Sequence, residues 1–275
     1  MEKYKFETLA VSFLAEYVIS VQLNRAEKLN AFNSALWRDL KECFTVIKDD
    51  STVRAVILSA AGKHFTAGLD LNDFPTVDMK EDYDSARQAH RLRLIIKSMQ
   101  ESITVAETCD KPIITVTHGA CLGAGIDLIT ACDIRYCSRD AYFCVKEVDI
   151  SIAADLGTLQ RLPKATGNDS AVRELCLTAR RQVYQEAASI GLISKVLDSK
   201  EAAIAEATKT AILIASKSPV ATTGTKHLLN YSRDHSVAEG LAYTLAWSQA
   251  MTNTRDIPEA IDAVLGKRKP TFSKL

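Results

Sequence analysis

The residues best suited to chemistry lie in two glycine-containing stretches, Gly62-Lys63-His64-Phe65-Thr66-Ala67-Gly68-Leu69-Asp70-Leu71 and His118-Gly119-Ala120-Cys121-Leu122-Gly123-Ala124-Gly125-Ile126-Asp127. Each follows an apolar run with the character of a buried strand. Small residues let a peptide N–H reach a ligand without side-chain obstruction. The second stretch opens directly into a helical pattern, whose first N–H groups have no intrahelical partner and whose dipole favours developing negative charge. Two such donors aimed at one oxygen would form an oxyanion hole.

Positioning these turns requires a sheet. Alternation over residues 9–14 and 18–23, separated by Ala15-Glu16-Tyr17, predicts a β-hairpin with one covered face. After the candidate caps Asn33 and Ser34, apolar Leu36, Leu40, Phe44 and Ile47 recur at helical intervals, which predicts a helix packed along one stripe. Residues 55–58 and 112–116 read as short buried strands leading into the two glycine stretches. The pattern is helical over about 81–109, with an acidic start, and again over 123–132; residues 134–137 and 142–145 read as strands. From about Gly157 the chain reads as almost wholly helical, including 202–216, 223–232 and 237–251. No internal repeat or low-complexity linker is present. Strands first and helices last predict an α/β core over residues 1–200, followed by a helical region, 201–275, that covers it or joins neighbouring subunits. No GxGxxG follows the first strand and no GxxxxGK[ST] occurs, which disfavours dinucleotide and P-loop chemistry.

With 275 residues, 47% hydrophobic and 25% charged, the chain is long enough for one sizeable core and a smaller appendage. Lys and Arg number 34, as do Asp and Glu, so no overall field recruits nucleic acid or an anionic membrane and an anionic ligand has to be met locally. No apolar run approaches the ~20 residues that cross a bilayer, so no membrane span is expected. The seven cysteines (Cys43, Cys109, Cys121, Cys132, Cys137, Cys144, Cys176) are odd in number and lack CxxC pairs, which suits reduced core thiols. His64 and His118 border the glycine stretches, but no metal-ligand spacing accompanies them, so they read as structural and no metal is expected. The amino-terminal residues mix acidic and basic side chains and lack a signal or transit pattern, which speaks against secretion and mitochondrial import. At the other end, Ser273-Lys274-Leu275 follows Lys267-Arg268-Lys269 and Pro270 and matches the receptor-read peroxisomal address. A peroxisomal location, with the import receptor as a partner, is therefore expected.

The blocks HFTAGLDL and HGACLGAGIDLITACDIRYCSRDAYFCVKEVDISIAADLGTLQRLP resemble the two signature segments of the crotonase (enoyl-CoA hydratase/isomerase) superfamily, and the likeness runs from about Thr8 to Lys269. The resemblance implies a spiral of ββα units with a C-terminal helical trimerisation region, and a homo-oligomer, either a trimer or a hexamer of two trimers. It implies an acyl-CoA substrate, with CoA part of that substrate and no separate cofactor. Two peptide N–H groups would bind the thioester carbonyl; by motif they map onto Leu69 and Ala124, with Ala67, Gly68, Asp70 and Leu71 completing the first substrate-binding turn. The family more often has glycine where Ala124 stands, and alanine keeps the N–H.

The family's acid/base carboxylates map onto Asp127 and Glu147, twenty positions apart. Asp155, in Ala153-Ala154-Asp155-Leu156-Gly157-Thr158, stands where hydratases carry a small residue, and Glu147 with Asp155 resembles the dienoyl-CoA isomerases of the superfamily. That resemblance implies Glu147 as base at C2 and Asp155 as acid at C6 of a 3,5-dienoyl chain, with Asp127 orienting or polarising. The physical logic agrees: a thioester α-proton leaves only if the enolate oxygen is stabilised, at ~3 kcal/mol per donor, and conjugation spreads the charge from C2 to C6. Apolar Ile150, Ile152 and Leu156 nearby are expected to raise the carboxyl pKa values. Alone, a loop aspartate is a cap or turn residue. The alternatives are an enoyl-CoA hydratase using Asp127 and Glu147 around one water, and a non-catalytic acyl-CoA-binding subunit. Asp133 and Asp149 read as turn residues and Arg135 as half of an ion pair. Lys28, Lys63, Lys226 and His227 are candidates to meet the CoA phosphates or adenine. Asn24-Arg25-Ala26-Glu27-Lys28-Leu29-Asn30-Ala31 resembles the family's NRP-like segment, with Ala26 in the usual place of proline.

Overall fold

The computed structural model describes residues 1–73 and 84–275. β1 (Leu9–Ala15) and β2 (Val18–Leu23) form the expected antiparallel hairpin, with Tyr17 left-handed (φ 63°) in its turn. α1 (Ser34–Asp49) begins at Asn33, whose side chain accepts the Leu36 N–H at 3.0 Å, a cap worth ~1 kcal/mol. Its stripe of Leu36, Leu40, Phe44 and Ile47 is fully buried. β3 (Ala55–Ala60), α2 (Ser85–Thr108), β4 (Ile113–Thr117), β5 (Ala120–Leu122), α3 (Ala124–Thr130), β6 (Ile134–Ser138) and β7 (Tyr142–Cys144) follow. The predicted acidic start of the second long helix, residues 81–83, lies outside the described residues. The chain continues through α4 (Thr158–Ala165), α5 (Asp169–Thr178), β8 (Gln182–Val183), α6 (Tyr184–Ser189), β9 (Lys195–Leu197), α7 (Lys200–Ala215), α8 (Pro219–Ser232), α9 (Val237–Met251) and α10 (Asp256–Leu265).

Six strands form one sheet in the order β1-β2-β3-β4-β6-β9, parallel from β2 onward, and β5-β7-β8 form a smaller sheet. Three short strands correct the sequence reading. β5 lies inside the second glycine stretch, and β8 and β9 interrupt a region read as helical. Two or three residues carry no periodicity; each of these strands exists because a neighbour supplies its hydrogen bonds.

Successive strand residues face opposite ways. Val56 and Leu58 join the core that includes Leu36, Leu40 and Phe44 of α1, whereas Ala55 and Ile57 meet α7 on the other face. Ala203, Ala207, Ala211 and Ala215 of α7 lie one turn apart and are nearly fully buried against Val18, Ile57, Ile114, Val116 and Tyr136. Within the helical region from residue 201, α7 therefore covers the core, and the helices after it lie at the periphery. Arg54 ties the two together, donating to the carbonyls of Ala215 at 3.1 Å, Phe272 at 2.8 Å and Ser273 at 3.2 Å. Leu229, Leu241, Leu245, Ile261, Val264 and Leu265, on α8 to α10, are each more than half exposed. Among the described residues no helix is long and apolar enough to cross a membrane.

Candidate active site

β3 and β4 are adjacent parallel strands, and the two glycine stretches leave their carboxyl ends. There the stretches pair with each other: Thr66 N–H donates to Ala120 O at 3.0 Å, and Leu122 N–H to Thr66 O at 3.2 Å, a parallel bridge between Thr66 and Cys121. A methyl built on Gly68 would lie 3.1 Å from Leu122 O, so the turns remain in contact past the bridge. Three residues beyond each bridge partner stand Leu69 and Ala124. In the first turn the N–H groups of Ala67, Gly68 and Asp70 are committed, to Leu29 O at 3.0 Å, Thr66 Oγ1 at 3.0 Å and Phe32 O at 3.0 Å. Leu69 alone among these four has an N–H without an acceptor among the described residues, and as the residue bridged to Phe32 between the Gly68 and Asp70 bonds it turns that N–H away from Phe32. Ala124 opens α3 after Gly123, whose φ of 48° and ψ of −115° turn the chain sharply, and its N–H is one of the helix's unpaired donors. Leu71, also expected in the site, is exposed, and Asp70 is paired with Arg25 at 3.3 Å.

The carboxylates approach from behind the second turn. Asp127 is buried in the first turn of α3; its Oδ1 accepts the Thr158 N–H at 2.6 Å, and its Oδ2 has no hydrogen-bond partner among the described residues. Glu147 starts a 3₁₀ turn after β7, with Oε2 buried and without a hydrogen-bond partner among the described residues, and Oε1 3.4 Å from the position a methyl on Gly123 would take. The Glu147 carboxyl therefore lies one residue from the Ala124 N–H. Buried acceptors without partners cost stability and concentrate at functional sites. Burial, reinforced by the Asp127 and Asp155 charges, pushes Glu147 up to about 7. Burial, opposed by the Thr158 hydrogen bond and the Arg161 charge, pushes Asp127 up to about 6. Asp155 is half-buried and raised as well, by partial burial, and its charge acts on both other carboxyls. Three carboxyl groups thus share one electrostatic neighbourhood beside two free peptide donors. One can be ionised while another is protonated, which is the requirement for moving a proton from one carbon to another. Among the described residues no group of His, Cys, Asp and Glu converges as a metal cage.

The profile of the enoyl-CoA hydratase/isomerase family matches residues 14–274. The chain belongs to that family. A mouse protein named Delta(3,5)-Delta(2,4)-dienoyl-CoA isomerase, mitochondrial, is 49% identical over 99% of this chain and 84% of its own length. An Arabidopsis thaliana protein named Delta(3,5)-Delta(2,4)-dienoyl-CoA isomerase, peroxisomal, is 46% identical over 100% of this chain and 99% of its own. The crystal structure of an enoyl-CoA hydratase from Bacillus anthracis superposes with a TM-score of 0.86 at 27% identity, covering 97% of this chain and 99% of that one.

Within this member of the enoyl-CoA hydratase/isomerase family, several residues that build the site carry no local signal. Asn30 is fully buried with φ 53°; its amide donates to Ala61 O at 2.8 Å and His64 O at 2.9 Å, holding the NRP-like segment against the first turn without the proline. Gln100 and Arg161 hold the loop carrying Asp155, and Glu107 holds Arg161; the Gln100 and Glu107 bonds span more than fifty residues. His64 and His118 do brace the glycine stretches: His64 Nδ1 accepts the Ala120 N–H at 3.1 Å and His118 Nε2 contacts Gly62 O at 2.9 Å. Two candidates for CoA are otherwise engaged. Lys226 is buried, paired with Asp133 at 2.9 Å and bonded to Ala106 O and Lys111 O. His227 contacts the Tyr243 hydroxyl at 2.8 Å and stacks on Trp247. Lys28 and Lys63 are exposed. Arg135 donates to the Cys132 and Leu192 carbonyls at 2.7 and 2.9 Å rather than to a carboxylate. Asp133 anchors the start of β4 through the Ile113 N–H at 2.7 Å, and Asp149 pairs with Lys146.

Proposed function

We propose that the protein is a dienoyl-CoA isomerase that converts 3,5-dienoyl-CoA to 2,4-dienoyl-CoA in the β-oxidation of unsaturated fatty acids. The observation that carries this reading is the third carboxyl, Asp155, in the electrostatic neighbourhood of Glu147 and Asp127. The names of the mouse and Arabidopsis relatives support it.

The thioester oxygen sits between the Leu69 and Ala124 N–H groups. Glu147, ionised and beside Ala124, removes a proton from C2; the electron pair moves into C2=C3 as C3=C4 becomes C4=C5. The C5=C6 pair takes up a proton at C6 from Asp155, leaving C2=C3 and C4=C5. Proton count is unchanged and no water is added. The two donors stabilise the intermediate enolate, each by ~3 kcal/mol. A base with a pKa of about 7 suits transfer near neutral pH. Asp127 accepts from Thr158 and keeps Glu147 weakly acidic.

Incubation of the purified protein with 3,5-dienoyl-CoA is expected to raise the long-wavelength absorbance of a conjugated 2,4-dienoyl thioester. No conversion across several chain lengths would overturn the reading. A hydratase working through Asp127 and Glu147 alone would keep most of its rate in Asp155→Asn, whereas the isomerase loses it.

For location, Ser273-Lys274-Leu275 supports the peroxisome, as does the Arabidopsis relative's name, while the mouse relative's name says mitochondrial. Removing the three residues is expected to abolish import in cells and binding to the receptor. The apolar faces of α8 to α10 support a homo-oligomer, trimer or hexamer, which sedimentation measures.

A further inference from the structure

Apart from its own peptide N–H, the Asp155 carboxyl has no hydrogen-bonding partner among the described residues. Its position is therefore set by its main chain, which is held at residues 155, 156 and 158 by side chains of three helices. Gln100 of α2 donates through Nε2 to the Asp155 carbonyl at 2.6 Å. Arg161 of α4 reaches back to the Leu156 carbonyl at 3.4 Å. Asp127 of α3 takes the Thr158 N–H at 2.6 Å. Between the last two lies Gly157, with φ of 129°, a conformation that residues with a Cβ rarely adopt. A Cβ there would also stand 1.9 Å from Arg161 Nη1, so the guanidinium occupies the space the glycine leaves. Arg161 is itself fixed: Glu107 accepts from Nε at 3.0 Å and Nη2 at 2.7 Å, and Thr104 Oγ1 from Nη2 at 3.1 Å. Arg233 closes the other side of Glu107 at 2.7 Å. Positions 100, 104 and 107 lie on one face of α2, so one helix face both holds the Asp155 carbonyl and anchors Arg161.

We propose that Gln100, Glu107 and Arg161 are positioning residues that hold Asp155 at the far end of the acyl chain and so govern proton delivery to C6, but not proton removal at C2. None of the three is assigned to the oxyanion donors or to Glu147. The inference rests on the isomerase reading above and adds the residues on which its second half depends.

The two halves can be read in one experiment with the full-length enzyme and 3,5-dienoyl-CoA in D₂O. Product formation reports delivery to C6. Deuterium appearing at C2 of unreacted substrate reports removal at C2 by Glu147 and return from solvent. In Gln100→Ala and Arg161→Gln, isomerisation is expected to fall about 10- to 100-fold, the scale of a misplacement near 1 Å, while C2 exchange stays within about threefold of the parent. The exchange-to-isomerisation ratio therefore rises, which a general loss of folding does not produce. Gln100 is exposed, so Gln100→Ala keeps the test valid where Arg161→Gln costs the fold. Arg161→Lys retains the charge without the two-pronged grip and is expected to behave as Arg161→Gln. An unchanged ratio in both Gln100→Ala and Arg161→Gln overturns the positioning role. Asp155→Asn is the internal reference: if it raises the ratio while the brace variants do not, only the positioning role fails. If Asp155→Asn leaves the ratio unchanged, the isomerase reading fails and the positioning role with it.

Discussion

The two ends of the site are built on different terms. At the carbonyl end, Leu69, Ala124 and Asp127 sit on a pair of bridged turns and the buried start of a helix, Glu147 on the 3₁₀ turn packed beside them, and two carboxyl oxygens have no partner among the described residues. At the far end, Asp155 is half-buried on a loop whose main chain is held by side chains from elsewhere. The first arrangement fixes donors through backbone hydrogen bonds and lets burial set proton affinity. The second fixes where the carboxyl stands, and partial burial raises its proton affinity as well. The carbonyl end is thus built to stabilise charge, a task shared by every reaction of a thioester enolate, and the far end to choose where the proton returns.

Substitutions at the carbonyl end should disable everything. Glu147→Gln is expected to cut isomerisation about 10³- to 10⁴-fold and to remove C2 exchange with it, measured as above. Ala124→Pro removes one N–H at the first helical position, where proline is tolerated; kcat is expected to fall about 10²- to 10³-fold for exchange and isomerisation alike, with thermal stability little changed. Asp155→Asn is expected to cost about 10²-fold in isomerisation alone. Equal loss of exchange in Asp155→Asn and Glu147→Gln would erase the distinction between the two ends.

Protonation provides subtler checks. Glu147 works ionised, so kcat/KM is expected to fall as pH drops through about 7. Asp127→Asn removes the neighbouring charge that raises Glu147, and the falling limb should move to lower pH. The same variant bears on stability. Asp127 has a folded pKa of about 6, above its ordinary value, so it holds its proton more tightly when folded. Its favourable contribution is complete below the unfolded pKa and is lost as pH rises through about 6. Asp127→Asn is therefore expected to raise the melting temperature at pH 8 relative to the parent, by on the order of 1–3 kcal/mol of stability, with the gain vanishing near pH 4. A loss of stability at pH 8 would show that the carboxylate's bond to Thr158 outweighs its burial.

Elements with a period, and turns with small residues, were legible in the sequence. The β1–β2 hairpin and α1 with its Asn33 cap stand where alternation and helical spacing placed them. The two glycine stretches meet at strand ends, as their composition suggested. What stayed hidden depends on partners distant in sequence. β5, β8 and β9 are too short for any pattern and exist through pairing. The four alanines of α7 look like a generic helix until the sheet beneath them is known, so the sequence leaves open which helices cover the core. Lys226 and His227 read as candidates for the CoA phosphates or adenine because their partners Asp133 and Tyr243 come from other segments. Gln100 and Glu107 lie within a long helix whose composition suggests only a solvated face.

The bridge between Thr66 and Cys121 carries a consequence for how this fold can change over evolution. Leu69 and Ala124 stand at matching offsets from that one contact, so the gap between the donors is counted in residues rather than set by any side chain. Either turn can exchange side chains, as alanine for glycine at 124 illustrates, but inserting or deleting a single residue would swing one donor out of line. Length drift is therefore expected to be forbidden in these few positions and tolerated in the surface connections between the last helices.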